Sequence, residues 1–259
     1  MKKIIALSIL ASLTSFNSLA DDSKQLFNQV YLTDKQDSRA AYYFTSHYYF
    51  AKQQNSGVWD DFGYLDTDSN IKAAYLNSHS SKDFSLSGEW FTTKEWFVTA
   101  GTADVGDLND NSNFGFGYLF DDKLKLSLFY NKKERGPNDT VFKAEYNHQF
   151  NSSDYLGVTF EADIDLDSYT LSGRYFKHLG ADSYLAIDVD HKEYEGSYDV
   201  STIKADYYVN KNISLGVGSY DNDLGIQAKY FFNDKFHLGG SIIDFDSGEV
   251  YQLSFTAQY

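Results

Sequence analysis

The 259-residue chain has no cysteine, one proline, one methionine, and only 22 basic residues against 37 acidic ones. Without cysteine no disulfide holds the fold, so a large sheet must secure itself by closing its own edges. The single proline, Pro137, lies in Arg135-Gly136-Pro137-Asn138-Asp139, a loop-type sequence, and every other stretch is free to join a ladder. The shortage of Lys and Arg excludes nucleic acid as a partner, since phosphates need cationic side chains. No apolar run reaches the ~20 residues a spanning helix requires. What the chain has in abundance is aromatic residues, 22 Tyr and 21 Phe. Disordered acidic tails are poor in these, and they favour strands.

Both ends of the chain carry a signal. Lys2 and Lys3 precede an apolar stretch from Ile4 to Leu13, then Ser18-Leu19-Ala20 before Asp21. That order is a secretory signal peptide over 1–20, cleaved after Ala20, with the barrel domain predicted over 21–259. Cleavage would leave 259 − 20 = 239 residues, with 22 − 2 = 20 basic against 37 acidic side chains, a net charge of −17. No cysteine follows the apolar run, so a lipoprotein anchor is excluded. At the other end, Tyr251, Leu253, Phe255, Ala257 and Tyr259 alternate with Gln252, Ser254, Thr256 and Gln258. A period of two is a strand with one apolar and one polar face. A final aromatic on such a strand is the pattern of an outer-membrane barrel, with Tyr251, Leu253, Phe255 and Tyr259 as the assembly signal. Negative mean hydropathy does not oppose this, because alternation hides a lipid face from window averages.

A hairpin period runs through the second half of the chain. Phe120, Phe150, Leu179, Val209 and Phe232 each lead through a short Asp/Asn/Gly turn into a new apolar alternation, at spacings of 30, 29, 30 and 23 residues. Two strands of about ten residues plus their connections fill that interval. The opposite connections, 101–112, 131–140, 163–167, 190–198 and 244–249, are longer and more acidic. Short turns on one rim and longer loops on the other predict a periplasmic and an external side respectively. Counting back from the C-terminus places strands near 250–259, 236–243, 224–232, 213–220, 199–209, 184–190, 168–179, 155–162, 141–150, 123–130 and 113–120. Others follow near 95–101, 83–91, 69–79, 39–50 and 25–32. The fold class is therefore an all-β, antiparallel up-and-down transmembrane barrel of about 16 strands, within a range of 12–16. The segment 51–68, with Trp59 and Phe62, is long for a periplasmic turn and is where a miscount would fall.

Alternation also assigns faces. Ile203, Ala205, Tyr207 and Val209 oppose Thr202, Lys204 and Asp206 on one strand; Leu224, Ile226, Ala228 and Tyr230 oppose Gln227 and Lys229 on another. A basic residue facing lipid at mid-bilayer would cost about 2–4 kcal/mol. The charges fall opposite the aromatics, so Lys125, Lys143, Glu145, Glu161, Arg174, Asp188, Lys204, Asp206 and Lys229 are the expected lining of a water-filled pore. The competing reading is a closed, salt-bridged core, as in eight-stranded barrels. A barrel of 14–16 strands is too wide for side chains to fill.

Other constellations are weaker. Asp163, Asp165 and Asp167, and Asp221-Asn222-Asp223, have the oxygen donors of a hard cation site but lack an EF-hand's glycine and glutamate, so no metal is expected. The six histidines, His47, His79, His148, His178, His191 and His237, stand singly without ligand spacing. Neither a phosphate loop nor a nucleophile elbow occurs, so neither a cofactor nor catalysis is expected.

Tyr48-Tyr49-Phe50-Ala51, an interrupting segment, Ala73-Ala74-Tyr75-Leu76-Asn77, and strand starts such as Phe114-Gly115-Phe116-Gly117-Tyr118 and Leu215-Gly216-Val217-Gly218 resemble the general porins of Gram-negative bacteria. Members usually carry a Gly-Pro-rich link after the Tyr-Tyr-Phe; here 53–68 has no proline and holds Trp59 and Phe62. The resemblance implies a channel in the outer membrane for passive diffusion of small hydrophilic solutes. It also implies outer-membrane lipid, lipopolysaccharide and the barrel-assembly machinery as partners. Trimers are common among porins of this size, though nothing in the chain demonstrates one. The acidic mouth favours cations weakly. The alternative is a structural or adhesive barrel with a blocked lumen, binding partners through its acidic loops.

Overall fold

The computed structural model describes residues 23–35, 40–78, 81–103, 105, 111–133, 138–194, 196 and 199–259. The signal-peptide reading of 1–20 and the loop around Pro137 lie outside the described residues. Sixteen strands form one closed antiparallel barrel. The first eight are β1 (Lys24–Lys35), β2 (Ala41–Gln53), β3 (Asn70–Asn77), β4 (Lys82–Phe91), β5 (Trp96–Thr102), β6 (Ser112–Phe120), β7 (Leu124–Lys132) and β8 (Asp139–Gln149). The rest are β9 (Tyr155–Asp163), β10 (Tyr169–Gly180), β11 (Ser183–Glu193), β12 (Val200–Asn210), β13 (Ile213–Tyr220), β14 (Asp223–Phe231), β15 (Phe236–Phe245) and β16 (Gly248–Gln258). The upper end of the 12–16 range is therefore the observed count.

Each strand pairs with its sequence neighbours, and β1 closes on β16 with Val30 opposite Phe255 and Leu32 opposite Leu253. The last residue is tied in as well. Tyr259 donates its N–H to the Leu26 carbonyl at 2.8 Å, and its own carbonyl accepts from Leu26 at 2.9 Å. Phe236 stacks on Phe255 and meets Tyr259 edge-on. Closure removes the sheet edges that an exported, cysteine-free chain would otherwise expose.

The period of two separates the faces as expected. Leu171, Val189, Ile203, Leu215, Val217, Ile226 and Leu253 are exposed on the outer wall, and cross-strand register sets them beside one another, as Val217 lies opposite both Ala205 and Ile226. The outer wall also holds an apolar groove of about 750 Å³ between Leu32, Leu215, Ile226, Ile242, Tyr251 and Leu253, a surface suited to acyl chains.

Connections on the rim that carries the described N-terminal end and Tyr259 are mostly tight. Asp121 and Asp122 have φ of 47° and 55°, two successive left-handed residues that match the twist of a hairpin. Asp221-Asn222 forms the same kind of turn on the opposite rim, and Asp163 uses both carboxylate oxygens to accept from the Asp167 and Ser168 N–H groups. Both acidic stretches are thus turn chemistry. The expected asymmetry is broken on both rims. The predicted longer connection 244–249 is only residues 246–247, as short as Asp221-Asn222. The link between Gln53 and Asn70, on the tight-turn rim, is longer than any on the other.

Replacing Val217 by Arg should lower the unfolding free energy by about 2–4 kcal/mol. Ser241→Arg, which puts the same charge in the lumen, should change it by less than about 1 kcal/mol. Denaturant titration of the refolded barrel in lipid vesicles compares the two directly.

Candidate functional site

The inner wall carries a belt of ionic side chains that are direct cross-strand neighbours. Lys125 lies opposite Glu145, Lys143 opposite Glu161, Arg174 opposite Asp188, and Asp188 opposite Lys204. Lys143 pairs with Glu145 at 2.9 Å, Arg174 with Asp188 at 3.4 Å, and Asp206 accepts from Gln227 at 2.7 Å. All nine residues expected to face water, Lys125, Lys143, Glu145, Glu161, Arg174, Asp188, Lys204, Asp206 and Lys229, sit on this inner face. They border cavities of about 450 Å³ and about 390 Å³ that share His47 and Lys72.

The link between β2 and β3 enters the barrel. Its sequence mixes Val58, Trp59, Phe62 and Tyr64 with Asp60, Asp61, Asp66 and Asp68, a pattern with neither strand nor helix period. Gly57 and Gly63, at φ of 130° and 91°, let the chain reverse there. The Ser56 N–H closes the tip onto the Asp61 carbonyl at 2.7 Å.

Two opposed chemistries hold the segment. Val58 is fully buried among Tyr155, Phe176, Tyr184, Ala186, Tyr208 and Phe231, with Trp59 and Tyr64 packed against the cluster. These rings come from the inward face near the tight-turn rim. Phe120, Phe150 and Phe232 at this rim are exposed, while their inward neighbours build an apolar floor. Above the floor the contacts are ionic. Asp60 accepts from Lys229 Nζ at 2.7 Å and the Tyr208 hydroxyl at 3.0 Å. Asp61 accepts from Arg174 Nη2 at 3.0 Å and the Tyr155 hydroxyl at 2.8 Å.

The rest of the segment is pinned to other walls. Tyr64 hydrogen-bonds Thr159 at 2.8 Å, and its ring lies against Gly157, where any Cβ would stand 2.0 Å from Tyr64 Cγ. Tyr49 donates to Asp66 at 2.6 Å, while Lys125 bridges the Asp66 carbonyl and Glu89. Gln258 donates to the Trp59 carbonyl, and Lys211 lies over the Trp59 ring at 5.2 Å. Of the nine expected residues, Arg174, Lys229 and Lys125 thus hold the segment as well as facing the cavities. The inward fold comes from the tight-turn rim.

The link's own acid is tuned by its surroundings. Burial alone would raise the Asp60 carboxyl, but the Lys229 ammonium, His237 and Arg174 outweigh it and hold the group below the ordinary carboxylate range.

The whole chain, residues 1–259, matches the family described as "Putative general bacterial porin". The chain belongs to that family. It is an outer-membrane porin channel. Among solved structures the porin is similar to the Acinetobacter baumannii outer membrane protein Omp33, at 15% identity and a TM-score of 0.60, covering 92% of this chain and 99% of that one. A triple mutant of the Rhodopseudomonas blastica porin matches at 10% identity and a TM-score of 0.55, covering 91% and 99%. No curated protein matches the porin in sequence.

The depressed Asp60 fixes the sign of a pH response. Its stabilisation of the docked segment is complete above the ordinary aspartate pKa of about 3.9 and is lost as pH falls through the lower docked value. In a Trp90→Phe, Trp96→Phe background, Trp59 emission should stay constant from pH 8 to about 4 and redden only below it. A shift near neutral pH would contradict this assignment.

Proposed function

We propose that the lumen passes small hydrophilic solutes by diffusion, with a weak preference for cations, and that the link between β2 and β3 sets its width. The observation that carries this is the ionic inner belt bordering cavities on either side of a polypeptide link. Side chains alone do not fill so wide a barrel, so the inserted link and water share the interior. The belt is close to neutral by pairing. Asp60, Asp66, Glu89, Glu145, Glu161, Asp188 and Asp206 face Lys72, Lys125, Lys143, Arg174, Lys204 and Lys229 across the two cavities. The slight acidic excess, with the acidic external connections, supports a cation preference.

In this reading the tight-turn rim is periplasmic. Tyr251, Leu253, Phe255 and Tyr259, on the closing strand, serve as the signal to the assembly machinery, with lipid and lipopolysaccharide around the outer wall. A homotrimer is compatible with the apolar outer wall. A second reading is favoured by the multiple anchors of the link: a lumen held shut, with the acidic loops binding an external partner.

Planar-bilayer recording separates the two. The diffusion reading expects conductance steps with a reversal potential on the cation side. It also expects an increase of severalfold when residues 57–64 are replaced by a short Gly-Ser turn. A silent wild-type barrel that conducts only after that replacement would favour the shut-lumen reading. Anion selectivity would refute the proposed preference.

A further inference from the structure

Outside the lumen, β11 and the start of β12 bring together donors that the sequence scatters. His191 and Glu193, two residues apart on one face of β11, meet Asp199, which precedes β12; one ligand atom from each lies within 4.8 Å of the others. Register explains the meeting. His191 stands opposite Ser201 on β12 and Leu171 on β10, and Tyr169 stands opposite Glu193. These residues share the outward face of Leu171, Val189 and Ile203, which are exposed on the outer wall. The cluster therefore sits on the outside of the barrel, at the edge of the apolar band on the loop-bearing rim.

One donor is already oriented. His191 Nδ1 contacts the Ser201 hydroxyl at 2.9 Å, which orients the ring. Tyr169 stands opposite Glu193 on the neighbouring strand β10. Ligating imidazoles and carboxylates are commonly held by such outer contacts. Among the described residues no Lys or Arg pairs with Glu193 or Asp199, while the adjacent Lys192 is turned inward to Asp190 at 3.4 Å. Bond lengths of about 2.0–2.2 Å place tetrahedral ligands roughly 3.4 Å apart. Closing from 4.8 Å needs only rotation of side chains at least partly open to solvent.

The geometry points to a divalent transition-metal site, of the zinc type, formed by the His191 imidazole and the carboxylates of Glu193 and Asp199. Two oxygens and one imidazole nitrogen suit Zn²⁺ better than Mg²⁺ or Ca²⁺, which take oxygen ligands. Three protein ligands leave one position open to water or another small ligand. Because the ligands come from both sides of the β11–β12 connection, a bound ion would staple that loop. The site is independent of the diffusion reading.

Calorimetric titration of Zn²⁺ into the folded barrel in detergent, with Mg²⁺ alongside, tests this. Zn²⁺ should bind the wild type at least tenfold more tightly than it binds His191→Ala. Asp199→Asn, a change at a loop position, should also weaken binding, and heat-modifiability on gels should show both variants folded. Mg²⁺ affinity should be weak and unchanged by His191→Ala. Equal Zn²⁺ affinity in wild type and both variants, or Mg²⁺ binding as tight as Zn²⁺, would overturn the site.

Discussion

The governing constraint is that ionised side chains cannot face hydrocarbon. On a closed sheet of period two, that constraint sends the charges within the apolar band inward and leaves outward ones such as Glu193 to the rims. The inward charges then meet as cross-strand neighbours, so Lys143, Glu161, Arg174, Asp188 and Lys204 form a belt across successive strands. The belt follows from keeping the outer wall apolar, and it supplies both a polar passage and a set of anchors.

Those anchors determine what happens to the longest link. Lys229 stands between Ser214 and Gly239, with no carboxylate opposite it, and Arg174 has only Asp188; Asp60 and Asp61 complete them. Hydrogen bonds to charged groups contribute about 1.5–3 kcal/mol each. Beside them Val58 enters an aromatic floor that would otherwise face water. Docking therefore satisfies polar and apolar surfaces together, and each contact orders the residues needed for the next.

Strand number, faces and the ionic belt were legible because each is encoded locally, by alternation over about ten residues. The link was visible only as an anomaly of length, carrying Trp59 and Phe62 without proline. Its destination was not legible because its partners are remote: Asp60 and Lys229 are 169 residues apart, and Tyr64 and Thr159 are 95 apart. The aromatic floor was hidden for another reason. Near the rim, rings fall on both faces, as Phe231 inward and Phe232 outward show, so alternation of apolar and polar residues ends there. His191 looked solitary because Asp199 reaches it only when the β11–β12 connection folds back.

The chain's lack of cysteine makes the central claim directly accessible, since a single engineered disulfide would form without competitors. The Tyr64 ring lies against the wall at Gly157, and a Tyr64→Cys, Gly157→Cys pair would tether the link to the wall. If the docked link sets the width of the passage, oxidation should hold single-channel conductance at or below the wild-type level, even in acid, and reduction should raise it. Identical conductance in the oxidised and reduced states would contradict the account.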